Sequence, residues 1–204
     1  MKIISVNKYK GETYCIEFDG HENVYLNREI VSQYNLKAGQ TLPESALEEI
    51  INANFFRKAK ERAMYLLDVK DYTFSELYKK LINNYPEEIC LEVCKTLASY
   101  GFINDMRYAE NKARVLFEVK RFGLYRVKME LKKCGLSDDI ISVVTECYAD
   151  EDSVLERLEE FVEKKYERYL VDQKGVNKVK AALQRQGYSY SDIKAVLDLY
   201  EFDF

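Results

Sequence analysis

Apolar positions follow two different periods along this 204-residue chain. In the first forty residues the period is two. Within TYCIEF, residues 13–18, Tyr14, Ile16 and Phe18 alternate with Thr13, Cys15 and Glu17, the pattern of a strand with one buried face. IISV before it and NVYL after it are rich in β-branched or aromatic residues, and Gly11 and DGHEN at 19–23 supply turns between them. A three-stranded meander is predicted within a β-containing extension over residues 1–42. A sheet this small is marginal alone, so a helix is expected to cover it.

From Thr41 the period becomes helical. In TLPE, Thr41 is the expected N-cap, with Pro43 in the first turn and Glu44 three residues after the cap. Leu47, Ile50, Ile51, Phe55, Ala59, Ala63, Leu66 and Leu67 continue the pattern, as one long helix or as two broken near Asn52–Asn54. Further starts are expected at Thr73 with Glu76, at Pro86 as a first helical residue, at Asn104, and at Ser137 ahead of Asp138 and Asp139. Ser153 with Glu156, and Ser189 with Asp192, repeat the capping pattern. Gly101, Gly123, Gly135, Gly175 and Gly187 punctuate helix ends or starts.

These signals recur about every fifty residues. Leu77 and Leu81 match Val127 and Leu131, then Val179 and Leu183. In the helices that follow, Ile89 and Val93 match Ile141 and Val144, then Ile193 and Val196. The predicted fold is mainly α: three tandem three-helix repeats forming an elongated curved body, with the small β meander at the N-terminus. The expected divisions are 43–103 for a linking helix and repeat one, 104–150 for repeat two, and 151–204 for repeat three.

Composition agrees with helix, since 8 Gly and 2 Pro are too few for the turns of an all-β chain. Residues 1–30 contain no apolar run long enough for a signal peptide or a membrane span, so a cytoplasmic location away from membranes is expected. Five Cys, odd in number and irregular in spacing, fit a reducing compartment. Enzyme constellations are scarce. His21 is the single histidine and lies beside Gly20 in an expected strand turn, which nearly excludes histidine metal clusters and Ser-His-Asp triads. Cys90 and Cys94, one helical turn apart, lie on an apolar flank that favours core thiols over a metal pair. Neither common Gly-rich nucleotide fingerprint is present. No active site and no cofactor are expected.

Charge is distributed unevenly. Residues 105–133 hold nine Lys/Arg against four acids, a net +5. Residues 134–163 hold ten acids and one base, a net −9. The bases are Arg107, Lys112, Arg114, Lys120, Arg121, Arg126, Lys128, Lys132 and Lys133. In KRFGLYR, residues 120–126, they interleave with Phe122 and Tyr125, a combination suited to phosphates and stacked bases. Two readings stand for this block: a nucleic-acid contact, or a solvated rim around packed rings.

The repeats and their wording resemble the RecX family of regulators of RecA recombinase over residues 55–204. YGFINDMRYAE, with Gly101, Phe102, Ile103, Asn104, Asp105, Tyr108 and Ala109, is the most specific segment. TFSELYKKL, GLYRVKMELKKCGL and LQRQGYSYSDI are similar to the corresponding segments of the three repeats. The resemblance implies a non-catalytic protein that lodges in the groove of the RecA–DNA filament and limits filament growth, strand exchange and ATP hydrolysis. The nine bases are the candidate filament or DNA contacts, and Glu156, Glu159, Glu160 and Glu163 the candidate RecA contacts. The expected partners are the RecA filament and DNA, single- or double-stranded, bound weakly or through RecA, with the protein itself a monomer. The alternative is a stand-alone nucleic-acid-binding helical module using residues 105–133.

Overall fold

The structure is a computed structural model that describes residues 1–200. Three antiparallel strands, β1 (Ile3–Lys10), β2 (Thr13–Phe18) and β3 (Val24–Asn27), form a sheet in the order β1-β2-β3. Their alternation puts Ile3, Ile16, Phe18 and Leu26 into one core with Ile30 of α1 (Arg28–Gln33) and Ile50 of α2 (Glu44–Val69). Helices cover the sheet, as its size requires.

Helix α2 runs unbroken for 26 residues. The polar interruption near its middle serves the sheet. Buried Asn54 accepts from the Asn27 backbone N–H at 3.0 Å and donates to the Tyr25 carbonyl at 3.3 Å, satisfying the end of β3. Its start departs from the expected capping box. Pro43 holds the N-cap position without a side-chain bond, and Thr41 pairs with Lys2 in an isolated antiparallel bridge. The demand of the sheet edge for backbone partners outweighs the cap.

The remaining helices are α3 (Phe74–Leu81), α4 (Glu87–Ser99), α5 (Asp105–Arg114), α6 (Leu124–Lys133), α7 (Asp138–Glu146), α8 (Glu151–Lys165), α9 (Gln173–Gln186) and α10 (Tyr190–Leu197). With α2 they make three tandem three-helix repeats, α2–α4, α5–α7 and α8–α10. All twelve apolar positions in the fifty-residue register are buried, none more than 8% exposed. A π-helical turn, Val115–Val119, extends α5, and a 3-10 turn, Glu167–Tyr169, follows α8.

Most caps form where expected. Asn104 accepts from Arg107 N–H at 2.9 Å, and the reciprocal bonds of Thr73 with Glu76 and of Ser189 with Asp192 are both present. Two starts differ. Pro86 is the N-cap of α4 and not its first residue; its missing N–H costs nothing at either place. Helix α8 begins before Ser153. Asp150 caps it by accepting from both the N–H (3.1 Å) and the hydroxyl (3.0 Å) of Ser153.

The chain divides into two compact units. One comprises residues 1–70 and 77–102, the other residues 71–76 together with the chain from Ile103 onward. In the second unit, repeat two closes around Ala109, Ala113, Phe117, Val127 and Leu131. Repeat three closes around Leu158, Val162, Val179, Leu183 and Ile193.

Candidate functional site

Within the second unit, glycine turns key helices together. Gly187 ends α9 at φ +92°, and a Cβ there would run into the backbone of Arg126. Gly123, the N-cap of α6, lies equally close against the Gly187 carbonyl. This contact lets the opening N–H groups of α6, which have no partner in their own helix, reach the closing carbonyls of α9. Gly123 N–H donates to Gln186 O at 2.9 Å and Tyr125 N–H to Gly187 O at 3.2 Å. Arg126 reinforces the joint, donating to Arg185 O (2.9 Å) and Gln186 Oε1 (3.2 Å) with its guanidinium 4.0 Å from the Phe122 ring centroid. The Tyr188 hydroxyl donates to Arg121 O at 3.0 Å, and burial pushes its pKa up to about 12.

The same key occurs one repeat earlier. Gly135, at φ +77°, meets the Ser75 side chain, and Thr73 Oγ1 donates to Cys134 O at 2.6 Å. The opening turns of α3 and α6 therefore dock on the turns that end α6 and α9.

This joint takes up part of the basic block. Arg126 lies in it, and Arg121 stands beside it, 3.5 Å from Glu160. Lys132 pairs with Asp138 at 3.0 Å and Lys133 with Glu130 at 2.8 Å, and the Lys133 bond holds the Glu130 carboxyl below its ordinary value. Arg107, Arg114, Lys120 and Lys128 are exposed and Lys112 is half-buried. Within the described residues these five have no carboxylate within 4 Å. Phe122 packs on the repeat-two core, whereas Tyr125 is 70% exposed. Tyr125, Lys128, Met129 and Lys132 line a groove of about 310 Å³ whose other side is Ile141 and Ser142 of α7.

Of the acidic candidates, Glu156, Glu159 and Glu163 are exposed on α8. Half-buried Glu160 joins Arg121 to Lys164, which lies 3.2 Å away. The structure thus brings Glu160 and Arg121 together, although they belong to oppositely charged blocks of the sequence. Sequence reasoning also missed a second basic stretch. Residues 164–185 hold seven Lys/Arg against two acids, a signal masked by the acidic run immediately before it.

No group of three or more His, Cys, Asp or Glu among the described residues is placed to hold a metal ion. Cys90 and Cys94 are buried in α4, and burial raises the Cys94 thiol pKa to about 12. Among the described residues no helix is long and apolar enough to cross a membrane.

Three-helix repeats keyed through glycine turns define a helical-repeat protein with charged surfaces. Family models described as the second and third three-helix domains of RecX match residues 104–144 and 151–197. The regulatory protein RecX of Clostridioides difficile (strain 630) is 29% identical over 197 residues, 91% of this chain and 92% of that protein. That of Listeria monocytogenes serotype 4a (strain HCC23) is 32% identical over 154 residues, 74% of this chain and 57% of that protein. A crystal structure of regulatory protein RecX superposes with a TM-score of 0.72 at 23% identity, covering 97% of this chain and 98% of that one. RecX from Lactobacillus salivarius gives 0.65 at 28% identity, covering 72% and 99%. The chain belongs to the RecX family.

Proposed function

We propose that this protein modulates RecA recombinase, typically as an inhibitor, by binding in the groove of the RecA–DNA filament. There it limits filament growth, strand exchange and ATP hydrolysis by occupancy, with no cofactor and no catalytic residue of its own. Family membership supports the partner. The observation that carries the mode is the keyed register of repeats two and three, which presents cations on one repeat and carboxylates on the next.

Arg107, Arg114, Lys120 and Lys128 meet DNA phosphates in this reading, while Glu156, Glu159 and Glu163 meet basic RecA surface. Patches of this kind are individually weak, but several on one body bind far more tightly together. Fixing their spacing beforehand reduces the entropy lost on docking. Complementary charge accelerates association, an effect that fades as salt rises.

The test is association with RecA filaments on single-stranded DNA, followed by interferometry and compared with the same DNA lacking RecA. Tighter binding to the filament is expected. Equal binding to DNA with and without RecA would support the stand-alone nucleic-acid module instead. That alternative draws less support from the structure, because Arg121, Lys132 and Lys133 already face carboxylates within 4 Å.

A further inference from the structure

Repeat three contains a groove of about 280 Å³ between the 3-10 turn and α9. Lys165, Arg168 and Lys178 border it, and among the described residues no acidic residue lines it. Ala182 and the exposed Tyr169 ring supply its apolar surface, with Tyr166 beside them and buried Val179 beneath.

These cations are held differently from those of repeat two. The Lys165 ammonium lies 5.1 Å from the Phe161 ring centroid and 5.4 Å from that of Tyr166. The two rings meet edge to face at 5.5 Å. The Arg168 guanidinium lies 4.8 Å from the Tyr169 ring centroid and donates to the Tyr169 hydroxyl at 2.9 Å. Within the described residues, none of the three cations has a carboxylate within 4 Å. Aromatic faces position a cation through their quadrupole without cancelling its charge. Lys132 and Lys133, by contrast, sit beside carboxylates that do cancel it. Lys165 and Arg168 also border an adjoining hollow, together with Lys164, Glu163 and Glu167.

The geometry points to this groove as a binding site for a nucleotide unit, one phosphate on the cations and one flat base over the apolar surface beside Tyr169. Both halves of the site are needed to account for that ligand. An acidic peptide would satisfy Lys165, Arg168 and Lys178 but leave Ala182 and the 45%-exposed Tyr169 ring uncovered. A base stacks on an exposed tyrosine whatever its sequence, and its own phosphate then lies within reach of the surrounding cations. The volume admits one such unit, at the small end of ligand pockets. The unit comes from an unpaired strand or from a free nucleotide. The site is distinct from the repeat-two surface, and its test contains no RecA, so it stands or fails independently of the proposed function.

The test is fluorescence anisotropy of a labelled twelve-residue oligothymidine with the full chain at low salt, with AMP and polyglutamate as competitors. Two variants remove parts of the groove, the double variant Lys165→Gln/Lys178→Gln and the single variant Tyr169→Ala. Lys79→Gln/Lys80→Gln, at exposed positions of α3, serves as the control outside both basic surfaces, and circular dichroism checks each fold. Each groove variant is expected to weaken binding roughly tenfold. The Lys double variant should also lower the salt slope by about 0.7, the contribution of one phosphate contact on a single strand. Strand binding that AMP does not displace identifies an unpaired strand as the source, and displacement by AMP identifies a free nucleotide. Equal displacement by polyglutamate overturns the proposal. So does an unchanged affinity and salt slope in the Lys double variant, or the absence of binding by both probes.

Discussion

Gly187 occupies a conformation that L side chains rarely adopt, and it does so against the Arg126 backbone. Gly187→Ala therefore combines backbone strain with a clash, and is expected to destabilise the protein by about 2–3 kcal/mol. A calorimetric scan should show the midpoint falling by roughly 5–10 °C; a change within 1 °C or so would mean that the joint is not tight. Tyr188, in the same joint, carries a pH signature. Its folded pKa, about 12, lies above the ordinary 10, so the stability it contributes is complete below pH 10 and is lost as pH rises toward 12. Tyr188→Phe should cost about 1 kcal/mol at pH 8 through the lost hydrogen bond. That deficit should shrink above pH 10, and a constant deficit across the range would contradict the assignment. The cysteines offer a third check. Exposed Cys147 should react with a thiol reagent at pH 8 while buried Cys90 and Cys94 stay protected, which mass spectrometry of labelled peptides would show.

At the scale of elements, periodicity and caps made most of the fold legible. Apolar spacing located the strands and the repeat register, because burial of one face determines both. The misses lie where a competing partner intervened. Thr41 is drawn to the sheet edge, and Asp150, which lies closer to the helix start, displaces Ser153 as a cap. Asp150→Ala should accordingly cost about 1 kcal/mol, and Ser153→Ala distinctly less, in denaturant melts. The reverse order would restore Ser153 as the cap. The joints were legible only in part. The glycines stood out as helix punctuation, but no local pattern says that Gly123 touches Gly187 or that Ser75 touches Gly135. The candidate surface was less legible still. Counting charge located the basic and acidic blocks, yet could not reveal that Arg121 and Glu160 face one another or that Arg126 holds a helix end. The ring-held cations of repeat three escaped because their sequence stretch adjoins the acidic run.

For the whole molecule, the account is one of recognition by charge displayed on keyed repeats. Glu156→Gln, Glu159→Gln and Glu163→Gln together should slow association with RecA filaments, chiefly at low salt, with the helical fold unchanged. Glu160 is left out of that set because it already bridges Arg121 and Lys164. An unchanged rate at low salt would make the acidic face a solvation feature. Reversing Arg107, Arg114, Lys120 and Lys128, which have no carboxylate partner among the described residues, should weaken filament binding. Reversing Lys132 and Lys133 should do less, since their carboxylate neighbours already offset them. The most direct measurement is the rate of ATP hydrolysis by RecA on single-stranded DNA as this protein is titrated in. A modulator that limits the filament by occupying its groove should lower that rate in a saturable way as the groove fills. A rate that stays constant up to an excess of protein over RecA, with the protein folded by circular dichroism, would contradict the account.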